Sequence, residues 1–267
     1  MMHPLPTYAR LPLRFDVGTL RTALQALPDS AWNRHFNTDY YSGDWSGIPL
    51  LLPAEAHTPL QAAQSTDNQA VQASPWYDPV WQALLEQIPM RISSARLLRV
   101  GAGGRIHEHC DPDLGDPRGD VRLHIPILIP PDVEFIVDDL SIPLAVGECW
   151  FLDLARPHRV ENPSSEARVH LVIDARRNDW LYAQIAAGLA STPAAGPSRS
   201  TIAFAAFRQQ VHQRPELLAT LSRIKDPRTF AEQAVQLGAV CDLHFSVDVV
   251  QAAMRKGRRA WIEQWIV

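Results

Sequence analysis

At 267 residues, with 46% hydrophobic and 20% charged side chains, the chain is long enough to bury a large core, and one large domain with an appendage is the first expectation. Its net charge of −4 is split into −7 over residues 1–200 and +3 over residues 201–267, and its only lysines are Lys225 and Lys256. An acidic main segment without lysine excludes a P-loop and a pyridoxal-phosphate Schiff base there, and it argues against nucleic acid as a partner.

The first residues, MMHPLPTYARLPLRFDV, lack the continuous apolar core of a secretory leader, and nowhere does an apolar run approach the roughly 18–20 residues that cross a bilayer. A cytoplasmic protein without a membrane partner is expected. Residues 17–27 place apolar side chains at helical spacing behind Asp16, which can cap the start. GIPLLL at 47–52 reads as a buried strand, and 53–75, rich in Ala, Gln, Pro and Ser without periodicity, as a long surface loop or substrate lid. A second helix is expected over 77–88.

Between 93 and 175 the pattern turns to short extended runs, SARLLRV, RLHIPILI, EFIVDD, LAVGECWFLD and ARVHLVIDA, separated by Gly, Pro and Asp. Such spacing predicts an antiparallel sandwich. A helix follows at 180–190, and 191–200 (STPAAGPSRS) reads as a linker. Four amphipathic segments after it predict a small all-α domain over 201–267, with prolines at helix starts and Gly238 as a stop.

Chemistry concentrates in GGRIHEHCDPD. On a strand His109 and Asp111, two apart, leave by the same face, and His107 shares their parity; His109 is favoured because His107 would stand four residues from Asp111. Cys110 lies between them and is expected to turn away. With Cys149 and Cys241 it makes an odd, widely spaced set that suggests reduced thiols rather than disulfides or a zinc knuckle. His158 closes an apolar strand after a proline turn, and Arg168 falls ten residues later on another apolar strand. Two neutral imidazoles and one carboxylate can cap one face of an octahedral Fe(II), leaving three adjacent positions open for a bidentate co-substrate and O2. A guanidinium on a buried strand is costly without a carboxylate partner. The distal carboxylate of 2-oxoglutarate suits it, and an acid within the fold is the alternative.

The succession of HxD, RLHIPI, GECWFLDLARPH and ARVHLVID resembles the aspartyl/asparaginyl β-hydroxylase family, including its bacterial proline-hydroxylase branch, over about residues 10–180. The resemblance implies a mainly β fold, a double-stranded β-helix (jelly roll) with flanking helices over 1–190, beside the all-α domain. It implies that His109, Asp111 and His158 hold Fe(II), that Arg168 with His124 grips 2-oxoglutarate, and that Arg122 faces the substrate's carboxylate. Arg118 and the loop from Asp39 to Trp45 are further candidates for holding an amino acid. Asp111 resembles the free-amino-acid hydroxylases, because vertebrate-type members lack the carboxylate ligand. The expected reaction is hydroxylation of an Asp, Asn or proline-like carbon, free or bound to a carrier or peptide, releasing succinate and CO2. The alternatives are a non-catalytic metal-binding sensor that recruits a partner, or a metal-dependent cupin isomerase or hydrolase. Residues 201–253 resemble the leader-peptide domains named after a nitrogen-fixation cluster, which implies a protein partner; packing or dimerisation is the plainer alternative.

Overall fold

The computed structural model describes residues 5–62 and 70–263, and no helix among them is long and apolar enough to cross a membrane. The chain divides into two compact units, Met1–Ala195 and Gly196–Val267. In the first unit come β1 (Tyr8–Arg14), α1 (Val17–Gln25), β2 (Asn33–Arg34), β3 (Tyr41–Ser42), β4 (Trp45–Pro53), β5 (Val71–Ala73) and α2 (Pro79–Leu85). They are followed by β6 (Ile92–Val100), β7 (Arg105–His109), β8 (Asp120–Leu128), β9 (Glu134–Val137), β10 (Leu140–Ser141), β11 (Glu148–Leu152), β12 (His158–Glu161), β13 (Arg168–Arg176) and α3 (Asp179–Leu189).

Helix starts follow local chemistry. Asp16 accepts from the Thr19 N–H at 2.7 Å, Asp78 from Val80 and Trp81 ahead of Pro79, and Asn178 from Leu181. Each satisfies backbone donors that a helix's first turn leaves without a partner.

The strands pair antiparallel into a larger sheet of order β1-β11-β8-β13-β6-β4-β2, with β5 on β4, and a smaller one running β10-β9-β12-β7-β3. From β6 to β13 the chain passes repeatedly from one sheet to the other, so two layers form from one winding. Period-two alternation sorts the larger sheet's side chains. Leu97, Leu123, Ile125, Phe151, Leu171 and Ile173 point to the face covered by Leu20 of α1, Trp81 of α2 and Leu181 of α3. Leu123 is fully buried there, and its truncation to alanine would cost about 2–5 kcal/mol. The alternate residues face the smaller sheet, where Val100, Trp150 and Leu152 pack with Ile106, Phe135, Val137 and Val160. Arg96, His124, Arg168, His170 and Asp174 share that inner face and are buried. A polar row inside an apolar sandwich is costly unless its members find partners.

Some boundaries differ from the sequence expectation. The loop expected over 53–75 contains β5, three exposed residues held by pairing to β4; residues 63–69 lie outside the described residues. The strand expected over 144–153 begins at Glu148, because Gly147 has φ +75° and an added Cβ would meet the Phe15 carbonyl at 2.6 Å. β1, hidden in a proline-rich start, was not expected.

The second unit holds α4 (Arg199–Gln213), α5 (Pro215–Ser222), α6 (Pro227–Val240) and α7 (Val247–Glu263) around Phe207, Leu221, Ala231, Ala234, Phe245 and Val250. α6 runs through Gly238 rather than stopping there, since that glycine admits the Phe245 ring, which a Cβ would meet at 2.4 Å. The last residues of the expected final helix, 264–267, lie outside the described residues.

Candidate metal centre

β12 and β7 pair so that His158 stands opposite His109, while Val160 stands opposite Ile106. Three residues on β7 therefore span what two span on β12. The extra residue is a bulge that reverses the pleat, and His109 emerges on the side of Ile106. His107, whose parity matched that of His109 in the sequence, is left off the wall of the cavity that both His109 and Ile106 line. The strand ends at His109, and Asp111 opens a 3₁₀ turn with its N–H donated to the Leu154 carbonyl at 2.8 Å. A turn, rather than strand alternation, brings Asp111 back beside His109.

The candidate donor atoms of His109, Asp111 and His158 lie within 4.8 Å of one another. The two imidazole centroids are 4.2 Å apart, and Nε2 of His109 is 3.8 Å from Oδ1 of Asp111. His109 Nδ1 lies 2.8 Å from the His107 carbonyl, and His158 Nδ1 lies 3.0 Å from the Arg156 carbonyl. A carbonyl only accepts, so each Nδ1 carries a proton and Nε2 is the nitrogen each ring can offer to an ion. Burial, aided by neighbouring His109, pulls His158 down to about 4, so its imidazole is neutral at pH 7. Burial pushes the Asp111 carboxyl up, but Arg122, His158 and His109 together outweigh it and hold the group below its ordinary range. The His158 nitrogen and the Asp111 oxygen are thus in ligating form. Cys110 is exposed and stands outside this group.

Arg122 is closed into ion pairs. Its Nε donates to Asp174 Oδ1 at 2.6 Å, its Nη2 to Asp174 Oδ2 at 3.2 Å, and its Nη1 to Asp111 Oδ2. Asp174 also accepts from Arg96 and from the Ser94 hydroxyl, and Arg96 donates to the Leu60 carbonyl at 2.9 Å. Burial opposes ionisation of Asp174, yet Arg122 and Arg96 bring it down to about 2. The position expected to face a substrate carboxylate therefore already serves two carboxylates of the fold.

Arg168 differs. It is 2% exposed, and among the described residues no carboxylate comes within ion-pairing distance of it. Its Nη2 lies 2.7 Å from His170 Nδ1, its guanidinium stands 5.5 Å from the Phe135 centroid, and its Nε has no partner. Burial alone draws it down to about 9. Nε2 of His124 and of His170 are also buried without partners. Buried polar atoms are seldom left so, and an anion would satisfy several at once.

His109, Asp111, Arg122, His124, His158 and Arg168 border one cavity of about 300 Å³, lined on another side by His35, Phe36, Tyr40 and Trp45. The ring of His35 stacks on Trp45 at 3.5 Å between centroids, 7° from parallel, and on Phe36 at 4.6 Å. Tyr40 and Trp45 come from the loop expected to hold substrate; Asp39 is exposed and off the wall. Arg118 is exposed on a turn, its N–H bonded to Asp116, and the structure does not bring it to the cavity. Sequence reasoning missed His35. The only signal was aromatic density in HFNTDYYSGDW.

Two imidazoles on paired antiparallel strands and a carboxylate from the turn after one of them, near a buried guanidinium with no acid beside it among the described residues, mark a candidate mononuclear metal centre with room for an acidic co-substrate. A family model described as Aspartyl/Asparaginyl beta-hydroxylase matches residues 21–178, and the chain belongs to that family. No curated protein sequence matches. Among solved structures, a 2OG-Fe(II) oxygenase family oxidoreductase from Burkholderia pseudomallei is similar at 14% identity and TM-score 0.45, over 65% of this chain and 86% of that one. A Pseudomonas putida prolyl-4-hydroxylase is similar at 14% identity and TM-score 0.42, over 64% and 93%. A viral collagen prolyl hydroxylase from Paramecium Bursaria Chlorella virus-1 is similar at 12% and 0.41, over 65% and 97%. These likenesses are low, and the assignment to the family rests on the matched residues.

Proposed function

We propose that this protein is an Fe(II)- and 2-oxoglutarate-dependent dioxygenase, with a double-stranded β-helix over residues 1–190, that hydroxylates an unactivated C–H of an amino-acid residue. In this reading His109, Asp111 and His158 hold the ion, and Arg168 with His124 holds the distal carboxylate of 2-oxoglutarate. The observation that carries it is Arg168: a fully buried cation facing a cavity, without an acid among the described residues, beside three grouped donors. The fit supports this donor set for iron, since neutral nitrogens and one carboxylate suit a ferrous ion that must keep open positions. Bound together, iron and 2-oxoglutarate supply the oxidation, in which O2 is consumed, 2-oxoglutarate leaves as succinate and CO2, and a substrate C–H becomes C–OH.

The chain's own residues position and exclude. Carbonyl contacts fix both imidazoles with Nε2 toward the centre, and Arg122 holds Asp111 Oδ2, leaving Oδ1 on the side of His109. The stacked wall of His35, Trp45 and Phe36 keeps bulk water from one side of the cavity. Release of succinate by protein loaded with Fe(II), 2-oxoglutarate and O2 tests the proposal. Wild type should release it, His158→Ala should lose both iron affinity and release, and equal turnover by that variant would refute the role given to His158.

A further inference from the structure

The second unit is small, and four short helices ordinarily pack to a filled centre. These four leave an open cleft of about 640 Å³, and its described lining residues all belong to this unit. Small residues make the room. α6 contributes Ala234 and α7 contributes Ala253 and Gly257, and a Cβ added at Gly257 would meet nothing within 4 Å. The long wall is α4, where Phe204, Phe207, Arg208, Val211 and His212 recur at the three- and four-residue spacing of one helix face, a row covering about 12 Å of helix axis. The Phe245 ring holds Phe204 and Phe207 from behind, at 5.1 and 5.3 Å between centroids, so the aromatic wall is fixed.

Leu221 of α5, Phe230 of α6 and Met254 of α7 extend the apolar lining. The polar side chains among the described lining residues are Arg208, His212 and Lys256, and none of them is an acid. Arg208 is exposed, stands one turn from His212, and pairs with no carboxylate of the described residues. Residues 201–267 carry a net charge of +3, so the surroundings are positive as well. A concave, mostly apolar surface with a few convergent polar groups is the usual form of a small-molecule site, and the volume lies within the roughly 300–1,000 Å³ of such sites. A guanidinium at the edge of an apolar cleft selects a ligand with an anionic head and an apolar body.

We infer that this cleft binds a long-chain carboxylate, its alkyl tail against Phe204, Phe207 and Phe230 and its head at Arg208. Burial of the tail supplies the affinity, and the guanidinium sets the polarity of the ligand. The site lies apart in sequence from the candidate metal centre and does not rest on the hydroxylase reading.

Calorimetric titration of the full chain with laurate, decanoate and octanoate tests it. Laurate should bind with a Kd of about 100 µM or tighter, and each pair of methylenes removed should weaken binding about tenfold. Dodecyltrimethylammonium, with the same tail and the opposite charge, should bind about tenfold more weakly than laurate. Gly257→Leu, which puts an apolar side chain into the space open there, should weaken laurate about tenfold or more without lowering Tm, since leucine is the better helix former. Arg208→Glu, an exposed change, should weaken laurate about tenfold and leave the dependence on tail length intact. Arg168→Met should hold the laurate Kd within about twofold, because the cleft does not use the cation buried in the first unit. Affinity independent of tail length, equal binding of the two head charges, an unchanged Kd in Gly257→Leu, or loss of binding in Arg168→Met would overturn the inference. A dimer in sedimentation that Gly257→Leu dissociates would give the cleft to a second copy of the chain and overturn it too.

Discussion

Replacing Arg168 by methionine should strengthen the fold while weakening co-substrate binding. Methionine keeps an unbranched stem and removes the charge. At about 1.4 kcal/mol per pKa unit, a guanidinium drawn down to about 9 costs the fold on the order of several kcal/mol. Exchanging buried charge for apolar volume typically recovers about 1–4 kcal/mol. Part is offset, because His170 Nδ1 loses its 2.7 Å partner, at about 1–2 kcal/mol. A net gain of roughly 1 kcal/mol or more remains, raising Tm by about 2–4 °C for a chain of this size. Between pH 9 and the value of a free arginine, the unfolded chain retains a proton that the folded protein has released, so wild-type stability rises with pH there. The methionine variant's lead should therefore be full below about pH 9 and shrink above it. Truncating one side of a buried charge pair costs about 2–5 kcal/mol in binding, or roughly 30- to 4,000-fold in Kd for 2-oxoglutarate. Thermal melts across pH and calorimetric titration of 2-oxoglutarate into the anaerobic Fe(II) protein measure both effects. A destabilised variant with unchanged 2-oxoglutarate affinity would refute the argument.

Asp174→Asn should cost about 3–5 kcal/mol in denaturant titrations, because Arg96 and Arg122 lose the buried carboxylate they share. The Asp174 contribution is present above about pH 4 and lost as pH falls toward 2, so acid should narrow the gap between wild type and variant. The same change should weaken Fe(II) binding by about 10–100-fold, since Arg122 orients Asp111. Gly147→Ala should destabilise by about 1–3 kcal/mol, through its positive φ and the nearby Phe15 carbonyl, read as a lower denaturation midpoint. Arg118→Ala, on an exposed turn off the cavity, should leave the substrate KM within about twofold of wild type in the succinate assay, consistent with the small effects of exposed side chains.

The sequence made the larger sheet legible wherever alternation was strict. ARVHLVIDA places Leu171 and Ile173 against the helices and Arg168, His170 and Asp174 inside, as period two requires. The spacing of His109, Asp111 and His158 also sufficed to bring them together, though for a reason alternation does not contain. The bulge on β7 and the turn at Asp111 depend on pairing with β12, 49 residues away, which no local pattern encodes. Long-range pairing likewise hid the engagement of Arg122 by Asp174, 52 residues on. His35 escaped notice because a lone histidine in a loop gives no sign that Trp45 will stack on it.

The most direct measurement is a crystal structure of the protein grown anaerobically with Mn(II), an oxygen-inert stand-in for Fe(II), and 2-oxoglutarate, with the metal located by its anomalous scattering. The expected result is one ion bonded to Nε2 of His109, a carboxylate oxygen of Asp111 and Nε2 of His158, chelated by 2-oxoglutarate whose far carboxylate meets Arg168. An ion bound elsewhere, or 2-oxoglutarate lying away from Arg168, would contradict it.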